Sequence, residues 1–134
     1  MTRYLAAYAG TAIAFVLLDA VWLSLTNARI YRPLLSQILI DGVRWAPAVA
    51  FYLIYLAGII LFAVAPALRS GEWSTATLLG ACLGFVAYAT YDLTNQATLI
   101  VWPVQITLMD LAWGSFVTAA GATAGFFVGG LVKS

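Results

Sequence analysis

The chain has 134 residues, enough for one domain. Its hydrophobic fraction is 64%, its charged fraction is 8% and its mean hydropathy is +1.00, whereas soluble domains are about 25% charged. We therefore predict a single transmembrane domain over residues 1–134, with the lipid bilayer as its partner. A net charge of +1, without clustered Lys and Arg, argues against a nucleic-acid partner.

The side chains that carry most enzyme chemistry are scarce in this sequence. Histidine is absent, which removes the commonest general base and the commonest metal ligand. The lone cysteine, Cys82, has apolar neighbours and is typical of inert packing. There is no Gly-x-Ser-x-Gly elbow. We therefore expect a protein that is not an enzyme, and we assign no metal and no cofactor. Lipid chemistry with an aspartate base stays open.

Four apolar stretches are each long enough to cross a bilayer, which takes about 20 residues. They are residues 4–26, 46–68, 75–100 and 104–131. The first follows Arg3 as a signal peptide would, but it is longer and contains Asp19 and Trp22, so we predict a retained helix. The string "PLLSQILI" after it predicts a short interfacial segment between the first and second helices.

The later connections are short. "RSGEWS" forms a polar turn, and Pro103 stands where a helix tolerates proline, at its start. Short connections make neighbouring helices antiparallel, so the predicted fold class is an all-α integral membrane protein, an up-down four-transmembrane-helix bundle. Arg and Lys divide evenly between the two faces, so the positive-inside rule gives a tie. We predict cytoplasmic termini because a short charged N-terminus usually stays inside.

Three of the predicted helices each carry one acid in their apolar run. Counted from the predicted helix ends, Asp19, Asp92 and Asp110 lie roughly 9–12 Å below the same face. The second helix has no acid, but Tyr52 and Tyr55 lie at about the same depth. We therefore expect three carboxyls and two phenols to meet in one polar layer, near the face that carries the long connection.

Small and polar residues recur at a spacing of four in the third and fourth helices, which places them on one side of each helix. The third helix has Gly80, Gly84, Tyr88, Asp92 and Gln96, with Tyr91 and Asn95 alongside. The fourth helix has Asp110 and Gly114, then Gly121, Gly125 and Gly129. Small residues at this spacing predict close helix–helix packing in lipid. Internal packing is the favoured interpretation of the glycine ladder, and a homodimer interface is the alternative.

An Asp-x-x-Trp pair occurs twice, as Asp19–Trp22 and Asp110–Trp113. The two pairs lie on predicted helices of opposite direction, which indicates inverted internal similarity, although two residues are too few to establish a repeat. Trp113 is predicted to lie deeper than the interfacial tryptophans. We include both tryptophans in the candidate site.

The buried acids favour a functional role, because a charged Asp at the membrane centre costs about 2.5–3.5 kcal/mol on insertion scales. The leading hypothesis is a small transporter or channel-like protein whose aspartates handle protons or cations, oriented by Asn95, Gln96 and the nearby tyrosines. One alternative is a membrane-embedded binding protein or enzyme for a lipid, isoprenoid or pigment. The other is an accessory subunit whose polar layer only fixes the bundle.

Five strings carry a resemblance to a known family. They are "LLDAVWLSLT", "AVAFYLIYLAG", "AVAPALRSG", "GFVAYATYDLTNQATL" and "WPVQITLMDLAWGSFVTA". Together they resemble a bacterial family of small predicted membrane proteins, domain of unknown function 2177, over essentially the whole chain. The resemblance implies a four-helix protein of the bacterial inner membrane and brings no activity or substrate. Its recognisable motifs include Asp19, Trp22, Tyr91, Asp92, Asn95, Asp110 and Trp113.

Overall fold

Four long helices account for most of the chain. The computed structural model describes residues 1–133, is 85% helical and has no strand among those residues. The helices are α1 (Thr2–Leu35), α2 (Trp45–Ser70), α3 (Trp73–Thr98) and α4 (Val104–Gly130). All four are long and apolar enough to cross a membrane, which confirms the predicted all-α fold class.

The first helix continues to Leu35 instead of ending near Thr26. It passes through a π-helical segment, Asn27–Tyr31, and returns to α-helix over Arg32–Leu35. A π-helical turn holds more residues than an α-helical one, so the side chains that follow are rotated about the helix axis. The start of the expected interfacial segment is therefore part of α1, and residues 36–44 connect it to α2.

Glycine and proline define two of the helix ends. Gly71 follows α2 with a φ of 76°, the left-handed conformation that commonly ends a helix. Pro103 lies directly before α4 in extended conformation, where its missing N–H leaves no helical hydrogen bond unmade. These ends keep the second and third connections short, so the helices on either side of each run antiparallel.

Helix α4 packs along α1 in the opposite direction. The Thr11 hydroxyl donates a hydrogen bond of 2.9 Å to the Gly121 carbonyl, Thr11 also lies against Gly125, and Ala7 lies against Gly129. Residue numbers therefore fall along α1 as they rise along α4. The glycine ladder faces α1 inside the bundle. A homodimer stays a prediction, and it would need a surface other than this ladder.

Helix α3 approaches α4 closely because both lack side chains at the contact. A Cβ atom on Gly84 would overlap the backbone of Gly114, and a Cβ atom on Gly114 would overlap the ring of Tyr88. Gly80 lies against Ala122 further along the same seam. Backbone-to-backbone contact of this kind is what small residues permit between helices in lipid.

Large apolar side chains lie on both the inside and the outside of the bundle. Those that are fully buried include Phe15, Ile59, Val64, Ile106 and Val117. Those that are more than half exposed include Leu5, Ile54, Phe62 and Leu78. An apolar outer surface around closed helical hydrogen bonding is the arrangement that a bilayer requires.

Candidate functional site

Two cavities lie in the half of the bundle that carries the long connection. The polar cavity, of about 360 Å³, is lined by residues of α1, the α1–α2 connection, α3 and α4, with Asp19 and Asp110 in its wall. The apolar cavity, of about 310 Å³, is lined by Phe51, Ala87, Tyr88, Tyr91 and Asp110. Tyr88, Tyr91 and Asp110 line both cavities. Asp110 is therefore the acid that lines both cavities.

Asp19 ties α1 to two other helices. The Tyr52 hydroxyl of α2 donates a hydrogen bond to one carboxyl oxygen. The Trp113 indole N–H of α4 donates to the other oxygen at 3.2 Å. Both oxygens have protein partners, so this acid is satisfied within the bundle.

Asp110 is bound by the part of α1 that lies beyond the predicted helix end. The Tyr31 hydroxyl donates to Asp110, and the Trp22 indole N–H donates to the same hydroxyl at 3.2 Å. Tyr31 lies at the end of the π-helical segment Asn27–Tyr31, so that segment sets the direction of its side chain. A chain of hydrogen bonds thus runs from Trp22 through Tyr31 to Asp110.

Tyr31 was not among the candidate residues. Our predicted helix ended at Thr26 because Asn27 and Arg29 resemble the start of a loop. The signal that could have found Tyr31 is the run of apolar residues after them, which continues a helical face. That run is Ile30, Tyr31, Leu34 and Leu35.

The two Asp-x-x-Trp pairs interlock across α1 and α4. The rings of Trp22 and Trp113 stack with centroids 4.5 Å apart and an angle of 7° between their planes. Each indole N–H points towards the acid of the other helix: Trp113 reaches Asp19 directly, and Trp22 reaches Asp110 through Tyr31. The sequence similarity therefore corresponds to an inverted pair of contacts about the stacked rings.

Asp92 has no hydrogen-bond partner among residues 1–133. Its side chain is 0% exposed, and neither carboxyl oxygen accepts a hydrogen bond from a described residue. Its carboxyl lies against that of Asp110. Ionised carboxylates only accept hydrogen bonds, so this contact brings acceptors together without a donor. One shared proton, or a bound cation, would supply what the pair lacks.

Five of the predicted site residues line neither cavity, namely Tyr52, Tyr55, Asp92, Asn95 and Gln96. Two of these five join other helices to α4. Tyr55 of α2 shares a hydrogen bond of 2.8 Å with the hydroxyl of Thr118 in α4. Gln96 of α3 accepts a hydrogen bond of 2.7 Å from the hydroxyl of Thr107 in α4. These bonds join α2 and α3 to α4.

Tyr88 and Tyr91 form, with Asp110, the wall that the two cavities share. The Tyr88 ring lies against Gly114, and the Tyr91 ring meets Trp102 edge to face with centroids 5.5 Å apart. Asn95 lies beside Tyr91, one helical turn further along α3. The glycine at position 114 is what allows the Tyr88 ring to approach α4. Packing therefore fixes both tyrosines between the two cavities.

Arg32 brings a positive charge to the polar cavity wall. Its guanidinium donates a hydrogen bond of 2.7 Å to the Ile40 carbonyl in the connection.

Within residues 1–133, no three His, Cys, Asp or Glu side chains are grouped as metal ligands. The acids instead fall into two groups: Asp19 with its hydrogen-bond donors from Tyr52 and Trp113, and the contact between Asp92 and Asp110.

These features define a four-helix membrane protein with acids held inside the bundle. The chain belongs to the family described as "Predicted membrane protein (DUF2177)", which matches residues 4–127, and this confirms the predicted family. No curated protein and no solved structure matches the chain. The family description states no activity.

Proposed function

We propose that this protein is a small membrane transporter that handles a proton or a cation at the paired carboxyls of Asp92 and Asp110. The observation that carries the proposal is that Asp92 is fully buried against another acid without a hydrogen-bond donor. Ionisable residues inside membrane helices commonly mark ion pathways and proton relays. A proton or cation between the carboxyls is the partner that this geometry calls for.

A purely structural role for Asp92 would require a proton on one carboxyl of the pair, because residues 1–133 supply no other donor to it. A buried polar group without a partner costs about 1–3 kcal/mol, so an acid that served only packing would be expected to have its bonds made. Asp19 meets that expectation, with a donor on each oxygen. The contrast between two acids in one bundle supports a role for Asp92 beyond packing.

Access to the carboxyl pair supports the same proposal. Asp110 lines both cavities, while Asp92 lies buried behind it. The Tyr31 hydroxyl occupies one oxygen of Asp110, so the bond between them would have to open for an ion to pass the acid from the polar cavity. Tyr31 would then act as the gate to the pair.

Flux into proteoliposomes tests the proposal. We expect Asp92→Asn and Asp110→Asn to abolish flux of the transported species, measured separately for protons, Na⁺ and K⁺ with internal dyes. Asp41→Asn is the matched control, because Asp41 is an exposed acid in the connection between α1 and α2. Unchanged flux in both folded site variants would remove the basis of the proposal.

A second candidate function is supported by the apolar cavity. Phe51 and Ala87 give it a wall suited to a lipid, isoprenoid or pigment, which a binding protein would hold without moving it. Such a ligand should copurify with the protein and be identifiable by mass spectrometry. Ala87→Phe, which would fill the cavity, should abolish copurification. A lipid that is retained equally by this variant would not be occupying the apolar cavity.

A further inference from the structure

We propose that the substrate is a small amphiphilic organic cation, with its ammonium group at Asp110 and its apolar part in the apolar cavity. This inference rests on the proposed transport function and names the class of substrate. The geometry behind it is the wall that the two cavities share, formed by Tyr88, Tyr91 and Asp110. A ligand in the apolar cavity would have its apolar part against Phe51 and Ala87, and its charged end would reach the Asp110 carboxyl at the boundary between the cavities.

The positive charge of the proposed substrate follows from the charged groups that face Asp110. Asp92 contacts it from α3, and Asp19 lines the same polar cavity from α1. Arg32 is the opposing cation of that wall, and its guanidinium is bonded to the Ile40 carbonyl. With the acids ionised, negative charge exceeds positive charge around Asp110. An anion would meet repulsion there, whereas a cation would be attracted.

Aromatic rings add to this preference. Trp22, Trp113 and Tyr31 line the polar cavity, and Tyr88 and Tyr91 form the boundary with the apolar cavity. The faces of such rings attract cations, with most benefit where water is excluded. Aromatic walls beside a carboxyl therefore suit an organic ammonium group better than a small metal ion, which prefers a shell of oxygen ligands.

The apolar cavity gives such a ligand a route from the bilayer. Phe51 is 48% exposed, and it lines that cavity together with Ala87. An amphiphile dissolved in the membrane could therefore reach Asp110 between α2 and α3 without crossing the connection. The ammonium group can belong to a free amphiphile or to the headgroup of a lipid, because both present the same chemistry to Asp110.

Binding of the ammonium should displace any proton held between the two carboxyls. An ammonium N–H supplies the donor that Asp92 lacks at its contact with Asp110, so the proton leaves to water and no covalent bond is made. The other titratable groups facing Asp110 are Tyr31 of α1 and the cavity-wall tyrosines of α3. Competition of this kind predicts affinity that falls up to about tenfold per unit decrease in pH.

Phenethylammonium is a suitable probe, and propylbenzene is its neutral isostere. We expect calorimetry on the protein in nanodiscs to show binding of the ammonium, with proton release, and binding of the isostere weaker by about tenfold or more. Asp110→Asn and Ala87→Phe should each weaken the binding of phenethylammonium by a similar factor. Ala97→Phe, the same change at an exposed site of α3, should leave the binding of phenethylammonium unchanged.

The outcomes separate this inference from the transport proposal. Equal binding of phenethylammonium and propylbenzene, or no effect of Asp110→Asn and Ala87→Phe in folded protein, would overturn the organic-cation site even if acid-dependent ion flux is present. Phenethylammonium binding without any flux would overturn transport and leave the site in place. Nanodiscs with and without an ethanolamine lipid distinguish the source, since a headgroup ligand would compete with phenethylammonium.

Discussion

Asp19 and Asp92 differ in what surrounds their carboxyl oxygens, and this difference predicts opposite responses to amide substitution. Within residues 1–133, Asp92 has no hydrogen bond, so the amide of Asp92→Asn can donate to the carboxyl of Asp110. We expect the free energy of unfolding to rise by about 1 kcal/mol while flux is lost. Asp19→Asn, which disturbs the hydrogen bonds from Tyr52 and Trp113, should lower the free energy of unfolding by a similar amount. Denaturation with sodium dodecyl sulfate measures both.

A stability gain with loss of function is the expected mark of a residue retained for activity. The accessory-subunit hypothesis predicts the reverse, because there the polar layer exists to hold the helices together. If Asp92→Asn destabilises the protein as much as Asp19→Asn does, the structural interpretation of Asp92 is the better one.

Tyr31 should be energetically coupled to Asp110. Its hydroxyl donates to that acid and accepts from Trp22, so Tyr31→Phe removes two contacts at once. In a double-mutant cycle with Asp110→Asn, we expect a coupling of about 0.6–1.7 kcal/mol, from the average to the largest value measured for polar contacts between membrane helices. Tyr8→Phe is the control, because the Tyr8 hydroxyl bonds to the Leu53 carbonyl instead. Coupling as small as that of the control would mean that the Tyr31 bond adds no stability.

At the scale of the helices, the seam between α3 and α4 should tolerate no added methyl group. A Cβ atom at Gly84 would overlap the Gly114 backbone, so Gly84→Ala should cost about 1–3 kcal/mol of unfolding free energy as an overpacked contact. Gly58→Ala in α2 is the matched control, because its Cβ atom would meet nothing within 4 Å. We expect that change to be neutral or to stabilise by up to about 1 kcal/mol. Equal effects in the same denaturation assay would contradict the close seam.

The end of α1 is a boundary that hydropathy did not predict correctly. Asn27 and Arg29 resemble the start of a loop, whereas the helix passes them as a π-helical segment and reaches Leu35. The polarity of a residue reports its preferred surroundings, and it does not report how many residues a helical turn holds. Tyr31 and its bond to Asp110 were therefore beyond a prediction based on apolar runs.

At the scale of the whole molecule, apolar length and short connections were sufficient to predict four helices and their class. They could not predict which side chains meet, because pairing depends on the rotation of each helix about its axis. Depth alone placed Asp19, Asp92 and Asp110 together. The structure binds Asp19 to Tyr52 and Trp113, and it sets Asp92 against Asp110. The types of residue in the site were predictable from the sequence, whereas their hydrogen-bond partners depend on how the helices are rotated in the folded bundle.

The arrangement of the bundle also bears on how many chains the function needs. Helix α1 of the same chain already covers the glycine ladder of α4, which was the surface predicted as an alternative homodimer interface. We therefore expect one chain to suffice for flux. Diluting the protein to fewer than one chain per liposome should leave the flux per chain constant, whereas an obligate dimer would lose activity steeply on dilution. A tandem fusion of two copies, tested at the same dilution, is the control: recovery of lost flux by the fusion would show that the homodimer is the working unit.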